Sequence, residues 1–423
     1  MTRMEDSGLW RGVRKVYDRI TTMDGALLRP RFAALLVPYM FLSRRGARAG
    51  ESRRLRALKY FNRELNRTEL LLGRETLRSR PVRMRIGVTR RCNLRCWICG
   101  VSRRGSRENA ALESAGAMDI PMEDYRALAE EAFPYLSELE FNQNGEALAR
   151  PDLMEMLEIA DSRGVDITIS TNAMLLTDEI MERLMALDNL KCLVVSMDGA
   201  RPETLEGIRV GADHGKLVRN LQKLAAIRGR GKRPELEIHF AAMRSNIEEL
   251  PELVEMAGKM GLDRVSVSYL YLDTWMPVEE SLYFHKELAN SIFHRVEASR
   301  GDVEVWLPPR FGTRPERAGV CELPWNFPAV EPDGDIMPCC MLFGPEYSMG
   351  GAEKGLEPIW NGPRYRELRR SLLRGEPLFD KCRWCGFDPA ALDPDDLRTH
   401  MTPELISRME KNGRLGLDTA RRK

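Results

Sequence analysis

Three cysteines carry the first chemical signal. In RIGVTRRCNLRCWICG, Cys92, Cys96 and Cys99 follow the spacing C-x3-C-x2-C on one short stretch. A zinc site would need four ligands and normally presents paired C-x2-C units. The histidines (His214, His239, His285, His294 and His400) all lie far along the chain. Three thiolates on one loop can instead hold three irons of a cubane cluster and leave the fourth iron open, where a small molecule can bind and react. A second group comprises Cys321, Cys339, Cys382 and Cys385, with Cys340 beside Cys339. In CELPWNFPAVEPDGDIMPCC, Asp333-Gly334 reads as a turn between two short strands that brings Cys321 and Cys339 together. KCRWC supplies the other two thiols, and four thiolates suit either zinc or an iron–sulfur cluster. Cys340 reads as a spare buried thiol and Cys192 as a core residue of a strand.

The elements that must position these residues repeat. Strand-like segments fall at 82–88, 137–142, 165–171, 191–197, 235–242 and 263–271, separated by helical patterns at about 121–133, 151–163, 176–188, 215–227, 247–259 and 279–297. Six strands, each followed by a helix, predict parallel βα units closing into a partial (β/α)6 TIM-like barrel, an α/β fold. In such folds chemistry sits on the loops after the strands, and Cys92, Cys96 and Cys99 follow the first strand. The expected organisation is a basic helical arm over 1–80, a core over 81–300, a small cluster domain (β-hairpin plus helix) over 315–390 and a polar helical tail over 391–423.

Of 423 residues, 43% are hydrophobic and 30% charged, normal for a soluble globular protein. The longest apolar run, Phe32 to Leu42, is broken by Pro38 and falls short of the roughly 18–20 residues that span a bilayer. Export is not expected, so the thiols stay reduced and metal binding outranks disulfides. The net charge of +2 is uneven: residues 1–80 hold 19 Lys and Arg against 8 Asp and Glu, the remainder 46 against 55. A basic arm on an acidic body suits an anionic partner, or else a solvated helical face. Within it, ALLRPRFAALLVPYMFLSRR places an apolar segment between arginines, as either an interfacial helix or a docking helix would.

The C-x3-C-x2-C loop after a first strand, within a six-fold βα pattern, resembles the signature of the radical S-adenosylmethionine (radical SAM) superfamily. That resemblance implies a [4Fe–4S] cluster whose open iron is chelated by the amino and carboxylate groups of SAM. The reduced cluster cleaves SAM to a 5′-deoxyadenosyl radical, which takes a hydrogen atom from an unactivated C–H bond. Further residues match by position. Gly145-Glu146-Ala147 stands where the family has Gly-Glu-Pro, so Glu146 is expected to receive the amino group of SAM. Ile98 is expected to meet adenine, and Ser170, Asn172 and Ser196 the ribose and carboxylate, although such residues also cap helices. Arg209 looks like the arginine that pairs with the SAM carboxylate. The second cysteine group, with IWNGPRYRELRRSLLRG between its halves, resembles the SPASM/twitch extension of these enzymes. With no cysteine beyond Cys385 it is similar to the shorter twitch form, implying one auxiliary [4Fe–4S] cluster used in electron transfer.

The substrate is less legible. The basic, Leu-rich arm favours oxidation or C–H functionalisation of a small-molecule or lipid-linked substrate, at a cytoplasmic site peripheral to an anionic membrane surface; each arginine facing lipid adds on the order of 1 kcal/mol. The alternative is maturation of a ribosomally made peptide. Enzymes of that kind commonly carry an N-terminal three-stranded ribbon, which residues 1–80 do not show. A non-catalytic iron–sulfur sensor is the third class. A nucleic-acid partner is not expected, because the arm lacks interleaved aromatic residues. Flavodoxin or ferredoxin is the electron donor that the resemblance implies. Ser268, Tyr269, Tyr271 and Trp275, at and after the last strand, are candidate substrate contacts.

Overall fold

The computed structural model describes residues 53–103, 105–141, 145–229, 233–299, 301–313, 320–383, 385 and 393–412. Six strands run in chain order across one sheet: β1 (Arg83–Ile86), β2 (Glu138–Phe141), β3 (Asp166–Thr171), β4 (Leu190–Ser196), β5 (Glu235–Ala242) and β6 (Arg264–Tyr269). Each is parallel to the next, as βα crossovers require. Alternate residues on each strand turn outward beneath the helices: Met84 and Ile86, Leu139 and Phe141, Ile167 and Ile169, Ile238 and Phe240 are fully buried. The opposite, concave face is polar, with Arg85 ion-paired to Glu140 at 2.6 Å and Arg264 bound to Glu237 at 2.9 Å. The partial barrel read from the sequence is the fold.

The sheet extends further at both edges than the six-fold pattern predicts. At one side β7 (Glu304–Trp306) adds parallel to β6, within a region that reads as connector. At the other, β8 (Ala329–Val330) lies parallel to β1 and starts an antiparallel ribbon with β9 (Asp335–Met337) and β10 (Gly350–Gly351). The turn between β8 and β9 closes with Gly334 N–H donating to Glu331 O at 2.8 Å. Gly334 has φ +84°, a conformation that favours glycine. The hairpin of the second cysteine group is thus a continuation of the barrel sheet, and Arg85 on β1 reaches the Cys340 carbonyl at 3.5 Å.

Of the N-terminal arm, residues 1–52, including the apolar segment between arginines, lie outside the described residues. Helix Arg53–Leu71 is a docking helix. Lys59 Nζ donates to the carbonyls of Arg163 and Gly164 at 2.8 and 2.7 Å, and Asn66 Nδ2 donates to Trp325 O at 2.5 Å. Glu69, fully buried, accepts the Ser79 hydroxyl at 2.6 Å. The tail is less polar than its composition implies. Helix Pro403–Lys411 buries Leu405 and Met409 against Met243, Leu272 and Met276, and Met401 bridges to Leu272. Among the described residues no helix is long and apolar enough to cross a membrane.

Candidate active site

The strand ends converge on one cavity of about 560 Å³. Its wall holds Cys92, Cys96, Ile98, Cys99, Gly145, Glu146, Ser170, Asn172, Ser196 and Arg209. All three first-loop cysteines and all seven residues singled out for SAM therefore lie around a single space.

The cysteine loop is tied down on both flanks. Below it, the buried Arg150 donates to the carbonyls of Val88 (2.8 Å) and Ile120 (2.7 Å), fixing the end of β1. Arg91 is held by Asp119 and Glu113 at 3.0 and 2.8 Å. On the far side, the N–H groups of Arg95 and Trp97 donate to Val210 O (2.8 Å) and Ile208 O (3.2 Å). These two pairs flank Cys96 on one segment and Arg209 on the other, so the pairing itself sets the guanidinium opposite the thiols. Asn172 closes the ring, donating to Asn93 Oδ1 at 2.9 Å.

Gly145 permits the closest approach. Its φ is +140°, and a Cβ there would sit 2.2 Å from Thr89 O and 2.9 Å from Arg91 O. The next residue, Glu146, donates its N–H to Arg91 O at 2.8 Å and turns its carboxylate inward. That carboxylate is 2% exposed and accepts the Thr171 hydroxyl (2.7 Å) and the N–H groups of Asn172 (2.7 Å) and Leu148 (3.3 Å). Burial pushes its pKa up while those three donors pull it down. Ala147, where proline is usual in the resembling family, begins a 3-10 turn and leaves the acid in place.

Arg209 is paired with Asp198, a fully buried carboxylate 2.7 Å away that also accepts the Ala241 N–H at 2.8 Å. Burial works against the arginine's charge, but Asp198 and then Cys96 outweigh it and hold the group above its usual range. Its Nε has no hydrogen-bond partner among the described residues. Asp198 is the residue that sequence reading missed. It stands within Ser196-Met197-Asp198-Gly199, but only its contact with Arg209 reveals its part.

Tyr271 and Trp275 also line the cavity, together with Asp273, Met276 and Phe343, which sequence reading did not single out. Trp275 Nε1 is buried without a hydrogen-bond partner among the described residues. Two other candidates lie elsewhere. The Tyr269 hydroxyl donates to Pro309 O at 2.8 Å in a packed aromatic group, and Ser268 meets His239 at 3.1 Å. Strand alternation explains the first: one residue along the strand reverses the face.

The second cysteine group gathers at the ribbon. Burial, then Cys385 and Cys321, push the Cys382 thiol up to about 12, and the same two thiols act on the buried Cys339. Cys385 and Cys321 therefore each lie within electrostatic reach of both Cys382 and Cys339. Cys340 is buried beside them, and Cys192 is buried on β4, its thiol 3.8 Å from Glu237.

The donor set fits iron–sulfur clusters. Both groups are all-thiol, and buried thiols such as Cys96, pushed up to about 11, need adjacent cationic metal to ionise. Among the described residues no three His, Cys, Asp or Glu side chains lie close enough to share one metal ion. An unpartnered arginine Nε and a tied-down carboxylate on the same wall fit a zwitterionic ligand.

The chain's residues 86–257 match the family model of the radical SAM superfamily, and 321–386 match that of an iron–sulfur cluster-binding domain, SPASM. A tungsten-containing aldehyde ferredoxin oxidoreductase cofactor-modifying protein of Pyrococcus furiosus is 29% identical, across 72% of this chain and 86% of its own. The mycofactocin maturase MftC of Mycobacterium tuberculosis is 26% identical (77% and 85%), and the PqqA peptide cyclase of Gluconobacter oxydans 25% (73% and 84%). Among solved structures, Streptococcus suis SuiB bound to S-adenosylmethionine superposes with a TM-score of 0.57 at 16% identity, over 79% of this chain and 76% of SuiB. That likeness is one of fold.

Proposed function

The chain belongs to the radical SAM superfamily and carries a C-terminal SPASM iron–sulfur domain, and on that premise we propose that it is a maturase acting on a ribosomally made peptide. The observation that carries this reading is the similarity to a PqqA peptide cyclase over 73% of this chain and 84% of that protein. It displaces the expectation of a small-molecule or lipid-linked substrate. That expectation leaned on the basic arm, most of which lies outside the described residues. That the sequence of residues 1–80 shows no ribbon pattern does not count against a peptide, because a recognition module need not belong to the same chain.

The family and the SPASM domain imply a [4Fe–4S] cluster that binds SAM, and an auxiliary cluster. When bound, the first cluster and SAM supply one-electron chemistry that removes a hydrogen atom from an unactivated C–H bond. Cys92, Cys96 and Cys99 would hold that cluster, and Cys321, Cys339, Cys382 and Cys385 the auxiliary one. Glu146, fixed by three donors, would accept the ammonium of SAM. Arg209, oriented by Asp198, would offer its free Nε to the carboxylate. Ser170, Asn172 and Ser196 would face the ribose and Ile98 the adenine, with Leu94, Phe141 and Ala147 keeping water from the wall.

The test is anaerobic reconstitution followed by SAM, dithionite and the short peptides encoded beside the gene, read by mass spectrometry. A peptide mass change that accompanies 5′-deoxyadenosine and disappears in Cys96→Ala supports the reading. Formation of 5′-deoxyadenosine with every peptide left unchanged refutes the peptide assignment while leaving the radical chemistry standing.

A further inference from the structure

One cation at the cavity rim is unused by these assignments. Lys381 stands immediately before Cys382 in the short turn Asp380–Arg383. Among the described residues it has no carboxylate partner, and its neighbour Asp380 is engaged by Arg383 at 3.2 Å. Its Nζ lies 6.0 Å from the ring centroid of Tyr271 and 5.8 Å from that of Phe343. Both rings line the cavity and remain 38% and 36% exposed. Near 6 Å a cation–π contact is at its outer reach, so the ammonium keeps its donors for another acceptor. On the lining of the same cavity, the Trp275 indole N–H has no hydrogen-bond partner among the described residues.

We propose that Lys381, Tyr271 and Phe343 anchor a carboxylate of the peptide substrate next to the residue presented to the cavity. The ammonium takes the carboxylate, and the two rings cover the apolar atoms that carry it. The chain then passes Trp275 toward the wall of Glu146 and Arg209. This inference rests on the peptide reading above and narrows it to substrates with an acid beside the modified position, on a side chain or at the C-terminus.

The test uses immobilised, reconstituted holoenzyme with SAM and a random hexapeptide library of equal acidic and basic content, half of it C-terminally amidated. Wild type should enrich Asp and Glu among amidated peptides, or free acids over amides, by roughly tenfold. The first result identifies a side-chain carboxylate and the second the terminal one; either supports the anchor. Lys381→Gln should abolish the enrichment and Lys381→Glu should turn it toward Lys and Arg, with iron content and visible absorption unchanged. Tyr271→Leu, on the loop after β6 and away from the cysteine-bearing turn, should lower acidic capture several-fold and serves as the readout if the Lys381 variants lose iron. Peptides retained without acid preference, or with a preference that persists in the variants, overturn the anchor and leave the peptide reading intact. Retention of no peptide at all overturns both.

Discussion

Gly145→Ala gives the sharpest test of how the cavity is assembled. The added Cβ would stand 2.2 Å from the Thr89 carbonyl oxygen and 2.9 Å from that of Arg91, both backbone atoms. Carbon and carbonyl oxygen settle at about 3.3–3.6 Å, so a gap of roughly 1 Å must open. At φ +140° the new residue is also strained in its own backbone. Strain of about 1–3 kcal/mol and overpacking of a similar size give a loss of about 2–6 kcal/mol, concentrated where the cysteine loop begins. Relief pushes Arg91 and Cys92 away from Glu146, whose N–H is bound to Arg91 O at 2.8 Å. A misplacement near 1 Å costs on the order of 10²-fold in rate. The assay is 5′-deoxyadenosine formation under dithionite, with iron content and urea denaturation alongside. Cleavage of SAM should fall about a hundredfold, and the auxiliary thiols, on another part of the sheet, should keep their iron. A variant that cleaves SAM at an undiminished rate would refute this account of the site.

Four further outcomes follow. Asp198→Asn leaves Arg209 buried without its counter-charge and should cost about 3–5 kcal/mol in urea denaturation together with SAM affinity; full stability would show the pair to be dispensable. Ala173, at φ 62°, lies two residues past β3 in a left-handed conformation, so Ala173→Gly should raise the unfolding free energy measured in urea by about 1 kcal/mol, and a fall would point to a compensating contact. His400 is fully buried beside Phe311 and burial lowers its pKa to about 4; since the folded form binds the proton less readily than the unfolded chain, stability should be lost as pH falls from about 6.5 toward 4. His400→Phe should flatten that limb, and an unchanged pH profile would exclude His400 as its source. Cys339→Ser should empty the auxiliary site while Cys340→Ser keeps its iron, and equal loss in both would make Cys340 a ligand.

The six βα units were readable because each strand alternates or runs apolar over a few residues and each helix carries its own period. β7 was not, since three residues, Glu304–Trp306, carry no period and pair only because β6 offers an edge. Six of the seven positions matched by the family resemblance lie at the ends of strands or just after them, Arg209 following a short helix instead, and strand ends of a parallel barrel meet at one rim. Tyr269 fell on the wrong side because Ser268 and Tyr269 are neighbours on β6 and successive residues of a strand point to opposite faces, so the two could not share one. Asp198 was passed over because a carboxylate in a loop is ordinary until its partner is known.

The local chain by itself determined the elements and the ligands: periodicity makes the strands, C-x3-C-x2-C makes a three-thiol loop, and Asp333-Gly334 makes a hairpin. These depend on neighbours a few residues apart. Only the tertiary structure decided that Ile208–Val210 pairs with the cysteine loop and so presents Arg209 to it. It alone decided that the hairpin joins β1, and that Lys381 comes to rest over Tyr271 and Phe343. These contacts join segments about a hundred residues apart or more, or separate turns of the fold. They exist because closing the sheet brings the strand ends together, a consequence of burying the outer faces of all the strands at once.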